Sequence, residues 1–101
     1  MNKEWKQKWV EALRSGKYEQ GQGTLKSNNK YCCLGVLYDI SEEPWNDGGF
    51  NSYTKENTSG HLGRGFSASV GLNFSQQYKL SSMNDNGKTF SEIADYIEKE
   101  L

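Results

Sequence analysis

From Asn2 to Ser15 apolar and polar positions recur at helical spacing. Trp5, Trp9, Ala12 and Leu13 fall at i, i+4, i+7 and i+8, with Lys, Glu and Gln opposite, so the pattern predicts an amphipathic helix. Gly16 suits its end, because glycine accepts the left-handed conformation common just past a helix. Lys17 to Leu25, "KYEQGQGTL", alternates only loosely and reads as an irregular extended segment. The one long apolar run is "YCCLGVLYDI" at 31–40, preceded by Ser27-Asn28-Asn29, whose side-chain oxygens suit a helix cap. On a helix Cys33, Val36, Leu37 and Ile40 share a face, with Leu34 close by, whereas only Val36 and Ile40 favour a strand. Helix is the better reading, and the short length keeps a strand open.

Ser41 to Gly71 is rich in Gly, Asn, Ser and Asp, with Pro44 as the only proline. Asp47-Gly48-Gly49 signals a turn and Phe50 to Tyr53 a short hairpin, which together predict ordered loops around short strands on a functional face. Flexibility is the competing explanation. Farther on, Phe74 to Met83 carries Phe74, Gln77, Tyr78 and Ser81 on one helical stripe, with Leu80 beside it and a turn at Asn84-Asp85-Asn86-Gly87. Thr89-Phe90-Ser91-Glu92 has the form of a capping box, and Phe90, Ile93, Ala94, Ile97 and Leu101 make a continuous apolar stripe behind it. The pattern predicts a single small α+β domain over 1–101, with three to four helices and one or two short antiparallel strand pairs.

Composition narrows this further. A chain of 101 residues with 34% hydrophobic and 13% aromatic residues supports one core, built more on large rings than on aliphatic bulk. Self-association would add burial, so a homo-oligomer is expected. Twelve basic against thirteen acidic residues give a net charge of -1, which lacks the electrostatic footprint of a DNA or RNA binder. With a polar N-terminus and no run near the roughly 18 apolar residues of a membrane span, a cytoplasmic protein without membrane contact is expected.

The adjacent Cys32 and Cys33 are poorly placed for a mutual disulfide, in keeping with a reducing compartment. Catalysis by one of them with His61, the single histidine, needs an accessible thiolate, and the apolar neighbours favour buried packing instead. One histidine and two neighbouring cysteines make no zinc set, and Asp39, Glu42 and Glu43 lack calcium-loop spacing, so no metal or cofactor is expected. "SEIADYI" has the look of the first helix of a helix-turn-helix. Glu92, Asp95, Glu98 and Glu100 on the last helix argue against reading DNA and for a structural helical hairpin.

The most suggestive stretch is "GHLGRGFS" at 60–67. Gly63 and Gly65 let backbone N–H groups approach an anion, and Arg64 is suited to paired hydrogen bonds with phosphate. It lacks the Walker ending and the dinucleotide fingerprint, and a surface loop is its plainer reading. Trp45, Phe50 and Tyr53 lie upstream, where core packing is the commoner role for any one ring and stacking on a base the functional one. The expected ligand site has Arg64, with Lys17 or His61, neutralising phosphate, Trp45 and Tyr53 stacking on a base, and Gly63 and Gly65 supplying backbone donors.

"KQKWVEALRSGKY" at 6–18, "NKYCCLGVLYDI" at 29–40 and "MNDNGKTFSEIADYIEKEL" at 83–101 resemble small proteins encoded by tailed phages and prophages. The resemblance leaves 41–71 uncovered. It implies a counter-defence role in the host cytoplasm. The leading expectation is a non-enzymatic sponge that sequesters a host immune nucleotide of the cyclic nucleotide or cyclic ADP-ribose type without cleaving it. The alternatives are an inhibitor that binds a host defence protein, in the manner of anti-CRISPR proteins, and an enzyme that degrades the signalling nucleotide.

Overall fold

The computed structural model describes residues 1–42, 62 and 64–101. Helix α1 spans Lys3–Arg14 and starts where Asn2 Oδ1 accepts the backbone N–H of Glu4 at 3.0 Å and of Trp5 at 3.1 Å. Its inward face buries Trp9, Val10 and Leu13, and Gly16, at φ 77°, takes the chain out of the helix. The Trp9 indole donates to the Cys33 carbonyl at 2.8 Å, which satisfies the ring's polar end inside the core.

Three short strands follow: β1 (Glu19–Gln20), β2 (Lys26–Ser27) and β3 (Lys30–Tyr31), in the order β1-β3-β2. β2 and β3 pair antiparallel with Ser27 opposite Lys30, whereas β1 and β3 pair parallel, so the sheet is mixed and not built of antiparallel pairs alone. Asn28 and Asn29, at φ 53° and 63°, form the two-residue turn between β2 and β3. The expected helix cap at Ser27-Asn28-Asn29 is therefore corrected to a hairpin. Asparagine serves both roles, since its short polar side chain tolerates the left-handed region that such a turn requires.

Helix α2 (Cys33–Ile40) carries the apolar run and buries every residue from Cys33 to Tyr38. Cys32, at its N-cap, supplies no side-chain hydrogen bond. The missing cap comes from elsewhere in the chain: Asn84 Oδ1 accepts the Cys33 N–H at 3.2 Å. Beyond the undescribed stretch lie α3 (Arg64–Val70), α4 (Phe74–Asp85) and α5 (Phe90–Glu100), making five helices among the described residues where three to four were expected. The additional one is α3, which occupies much of the glycine-rich stretch read as a loop. Asn73 with Gln76 and Thr89 with Glu92 form capping boxes at the starts of α4 and α5.

α1 packs on α5 and α2, α2 on α4, and α4 on α5, around a core that includes Trp9, Leu13, Leu25, Leu34, Leu37, Leu80, Ile93 and Ile97. Arg14 forks onto α5, Nη1 to Glu98 at 2.7 Å and Nη2 to Asp95 at 2.6 Å; on a half-exposed surface this orients the two helices more than it stabilises them. On α4 the core-facing positions are Gln77, Leu80 and Asn84, while Phe74 and Tyr78 are 67% and 62% exposed. The expected stripe of Phe74, Gln77, Tyr78 and Ser81 is thus rotated. Of the buried amides, Asn84 is hydrogen-bonded through both its oxygen and its nitrogen, whereas Gln77 is bonded through its oxygen, to the Leu62 N–H. No helix among the described residues is long and apolar enough to cross a membrane.

Candidate ligand cleft

The chain turns from α3 into α4 through Gly71-Leu72-Asn73. Gly71 sits at φ 76°, and Leu72 donates its N–H back to the Ser67 carbonyl at 2.9 Å, closing the turn tightly. Between the two helices lies a cleft of about 550 Å³, with Leu62, Ala68 and Leu72 as apolar lining, Ser67 and Gln77 as polar lining, and Phe74 at its edge. Gln77 is 3% exposed, and its Oε1 accepts the Leu62 N–H at 2.9 Å.

Two further grooves of about 400 Å³ are less suited to a ligand. One, between α1 and α5, mixes Lys3, Lys6 and Arg14 with Glu11 and Glu98, and the guanidinium is already committed to Asp95 and Glu98. The other is lined by Gln20, Gly21, Gln22, Lys30 and Gly87, and both glutamines there are tied to α4 or the residues after it.

Residues 1–62 match the family described as a domain of unknown function, DUF8296. The chain belongs to DUF8296. The matched DUF8296 segment takes in α1, the sheet and α2 and ends at Leu62, on the cleft; α3, α4 and α5 lie beyond it. No curated protein and no solved structure matches the chain.

Of the residues expected from sequence to bind a ligand, Arg64 and Gly65 open α3, the helix that contributes Ser67 and Ala68 to the cleft in this DUF8296 protein. Gly65 is exposed. Lys17 is exposed in the turn after α1, its N–H bonded to Ser15 Oγ, and is not among the lining residues. Trp45, Tyr53, His61 and Gly63 lie outside the described residues, as do the expected turn at Asp47-Gly48-Gly49 and hairpin at Phe50 to Tyr53. Sequence reasoning noticed Gln77 and Phe74 only as members of a stripe. Their separate roles, one buried against Leu62 and one exposed at the edge, depend on a contact that helical periodicity does not encode.

The cysteines are buried and unpaired. Burial pushes the Cys32 thiol up to about 11 and raises Cys33 as well, while Cys33 Sγ lies 3.5 Å from the Leu80 carbonyl as a weak donor. Both are protonated at neutral pH and shielded from solvent, the opposite of an activated nucleophile. Native protein at pH 8 is therefore expected to react with a thiol reagent at under about a tenth of the rate of the denatured chain, with both thiols released together in urea. Stoichiometric labelling of the folded protein within minutes would contradict this burial. The Tyr18 hydroxyl donates to Asp39 Oδ2 at 2.7 Å, and its pKa is raised by burial and by that carboxylate, so it too stays protonated. Among the described residues no group of three His, Cys, Asp or Glu is placed to hold a metal ion.

Proposed function

We propose that this protein is a non-enzymatic binding protein that captures a small anionic nucleotide signal, of the cyclic nucleotide or cyclic ADP-ribose type, and withholds it from a host defence system. The observation that carries this reading is the cleft between α3 and α4. Its volume of about 550 Å³ falls in the range of roughly 300–1,000 Å³ usual for small-molecule sites, with apolar walls and few polar groups. The base lies against Leu62, Leu72 and the Phe74 ring. Arg64 stands four residues before Ala68 on α3, a spacing that puts both positions on one helix face, and supplies the charge for phosphate. Trp45, Tyr53, His61 and Gly63, expected from sequence to contact the ligand, lie outside the described residues, and Gly65 in the first turn of α3 is kept as a backbone contributor. Lys17 is not required. A second copy of the chain closing over the ligand belongs to the same proposal, and light scattering with and without ligand measures it.

The test is incubation with a panel of cyclic nucleotides and cyclic ADP-ribose isomers, followed by denaturation and mass spectrometry. Sequestration gives depletion of one signal and its recovery at unchanged mass. Arg64→Ala is expected to weaken capture by about tenfold to a hundredfold, the worth of a charge-assisted hydrogen bond of roughly 1.5–3 kcal/mol. Recovery at a different mass establishes degradation instead, and no depletion removes the nucleotide reading.

The exposed rings of Phe74 and Tyr78, one turn apart on α4, favour a second reading, a protein-binding inhibitor of a defence component. Co-purification with one stoichiometric host protein, lost in Phe74→Ala/Tyr78→Ala, distinguishes it.

A further inference from the structure

Gln77 is a buried amide with only one end engaged. Its Oε1 accepts the Leu62 N–H at 2.9 Å, while its Nε2 has no acceptor among the described residues. The orientation of the amide follows from that one bond, since a flipped side chain would set its N–H groups against the N–H of Leu62. The end left over carries two donors and no acceptor. A buried donor without a partner is unfavourable and uncommon, and this one belongs to a residue lining a cleft of ligand size.

We infer that Gln77 is a specificity-determining residue of the cleft, donating from Nε2 to a keto oxygen on the ring system of the captured nucleotide. The inference rests on the cleft being the ligand site proposed above. A glutamine with both amide atoms free reads adenine, giving one hydrogen bond and accepting another. Here the oxygen is held by Leu62, so the side chain offers donors only and favours a ring edge with a carbonyl over one with an amino group. This narrows the proposed ligand to cyclic nucleotides with a keto base and away from cyclic ADP-ribose, whose base is adenine. Leu62, Ala68 and Leu72 around it favour a neutral planar ring over a phosphate at this end of the cleft.

Inosine and adenosine 5′-monophosphate differ at this edge alone, keto against amino, and make the test. The full-length protein, labelled with nitrogen-15, is titrated with each and with inorganic phosphate while the Gln77 side-chain amide signal is followed, assigned by its loss in Gln77→Met. The expected result is at least tenfold tighter binding of the inosine nucleotide, with a shift of the Gln77 amide that phosphate does not produce. Gln77→Glu still accepts from Leu62 but presents an oxygen in place of the donors, so the preference is expected to reverse towards the adenosine nucleotide. A merely structural glutamine gives no such reversal.

Equal affinities with an unmoved Gln77 amide, or a shift produced by phosphate alone, overturn the inference. An amide that neither nucleotide moves overturns it too, and marks Nε2 as bound to water only. In each of these cases signal depletion in the mass-spectrometric assay decides separately whether nucleotide capture stands at another place. If Gln77→Glu does not fold, the comparison of the two nucleotides on the unmodified protein still decides.

Discussion

Gly35→Ala is expected to leave little or no folded protein at room temperature, whereas Gly65→Ala is expected to fold with a Tm at or above that of the parent. A Cβ added at Gly35 falls 1.8 Å from the Leu25 carbonyl oxygen and 2.7 Å from its carbon. Those atoms are backbone and do not rotate away. The same carbonyl accepts the Cys32 N–H at 3.3 Å just ahead of α2, so moving the helix off it also loses a hydrogen bond and loosens the packing of Leu34, Val36 and Leu37. Overpacking that neighbouring side chains can absorb costs about 1–3 kcal/mol. Here the obstacle is main chain, and the loss is expected to exceed about 4 kcal/mol, a large part of the roughly 5–15 kcal/mol that holds a domain together. At Gly65 an added Cβ meets nothing within 4 Å, and alanine gains about 0.5–1 kcal/mol of helix propensity. Urea and thermal denaturation monitored by circular dichroism measure both. A parental midpoint for Gly35→Ala is incompatible with the close approach of α2 to Leu25.

That contact also marks the limit of what the sequence makes legible. The apolar stripes of α1 and α5 and the Thr89/Glu92 box are local signals, and the helices form where those signals lie. The run from Cys33 to Ile40 is readable as a helix, but the glycine within it announces neither the carbonyl it meets nor the distant residue that caps its first turn. Two-residue strands are too short for alternation to register, and Asn28-Asn29 is compatible with a cap or a turn until the sign of φ is known. α3 has a glycine and two serines among its seven residues, a composition that reads as loop, and forms a helix with Phe66 and Val70 turned to the core. In the candidate site, Arg64 and Gly65 are visible as chemistry and Gln77 is not. A buried glutamine beside an exposed phenylalanine inverts the usual order of burial, and only Leu62, fifteen residues away, accounts for it.

Asn84→Ala is expected to destabilise the protein by about 3–5 kcal/mol, because the buried Cys33 N–H loses its partner at about 1–3 kcal/mol, the part-buried Gly21 carbonyl loses one as well, and the core loses volume. Asn84 is fully buried, and its Oδ1 accepts from Gln20 Nε2 at 2.9 Å and from the Cys33 N–H at 3.2 Å, while Nδ2 donates to the Gly21 carbonyl at 2.8 Å. Asn84→Asp separates lost hydrogen bonding from lost volume. Its carboxylate keeps the acceptor for Gln20 and Cys33 but opposes the Gly21 carbonyl and carries a buried charge. Protonated, it regains a donor for Gly21, so its folded-state pKa lies above the unfolded value. The native state then binds more protons than the unfolded chain, and stability falls as pH rises. The variant is therefore expected to approach the parent in urea midpoint at low pH and to lose stability towards neutrality, and a pH-independent deficit is the result that contradicts this account of the hub. Through Asn84, α4 caps α2 and holds the loop at Gly21. The part of the chain that matches DUF8296 is thus completed by a residue outside it, and the helix supplying that residue also brings Gln77 and Phe74 to the cleft.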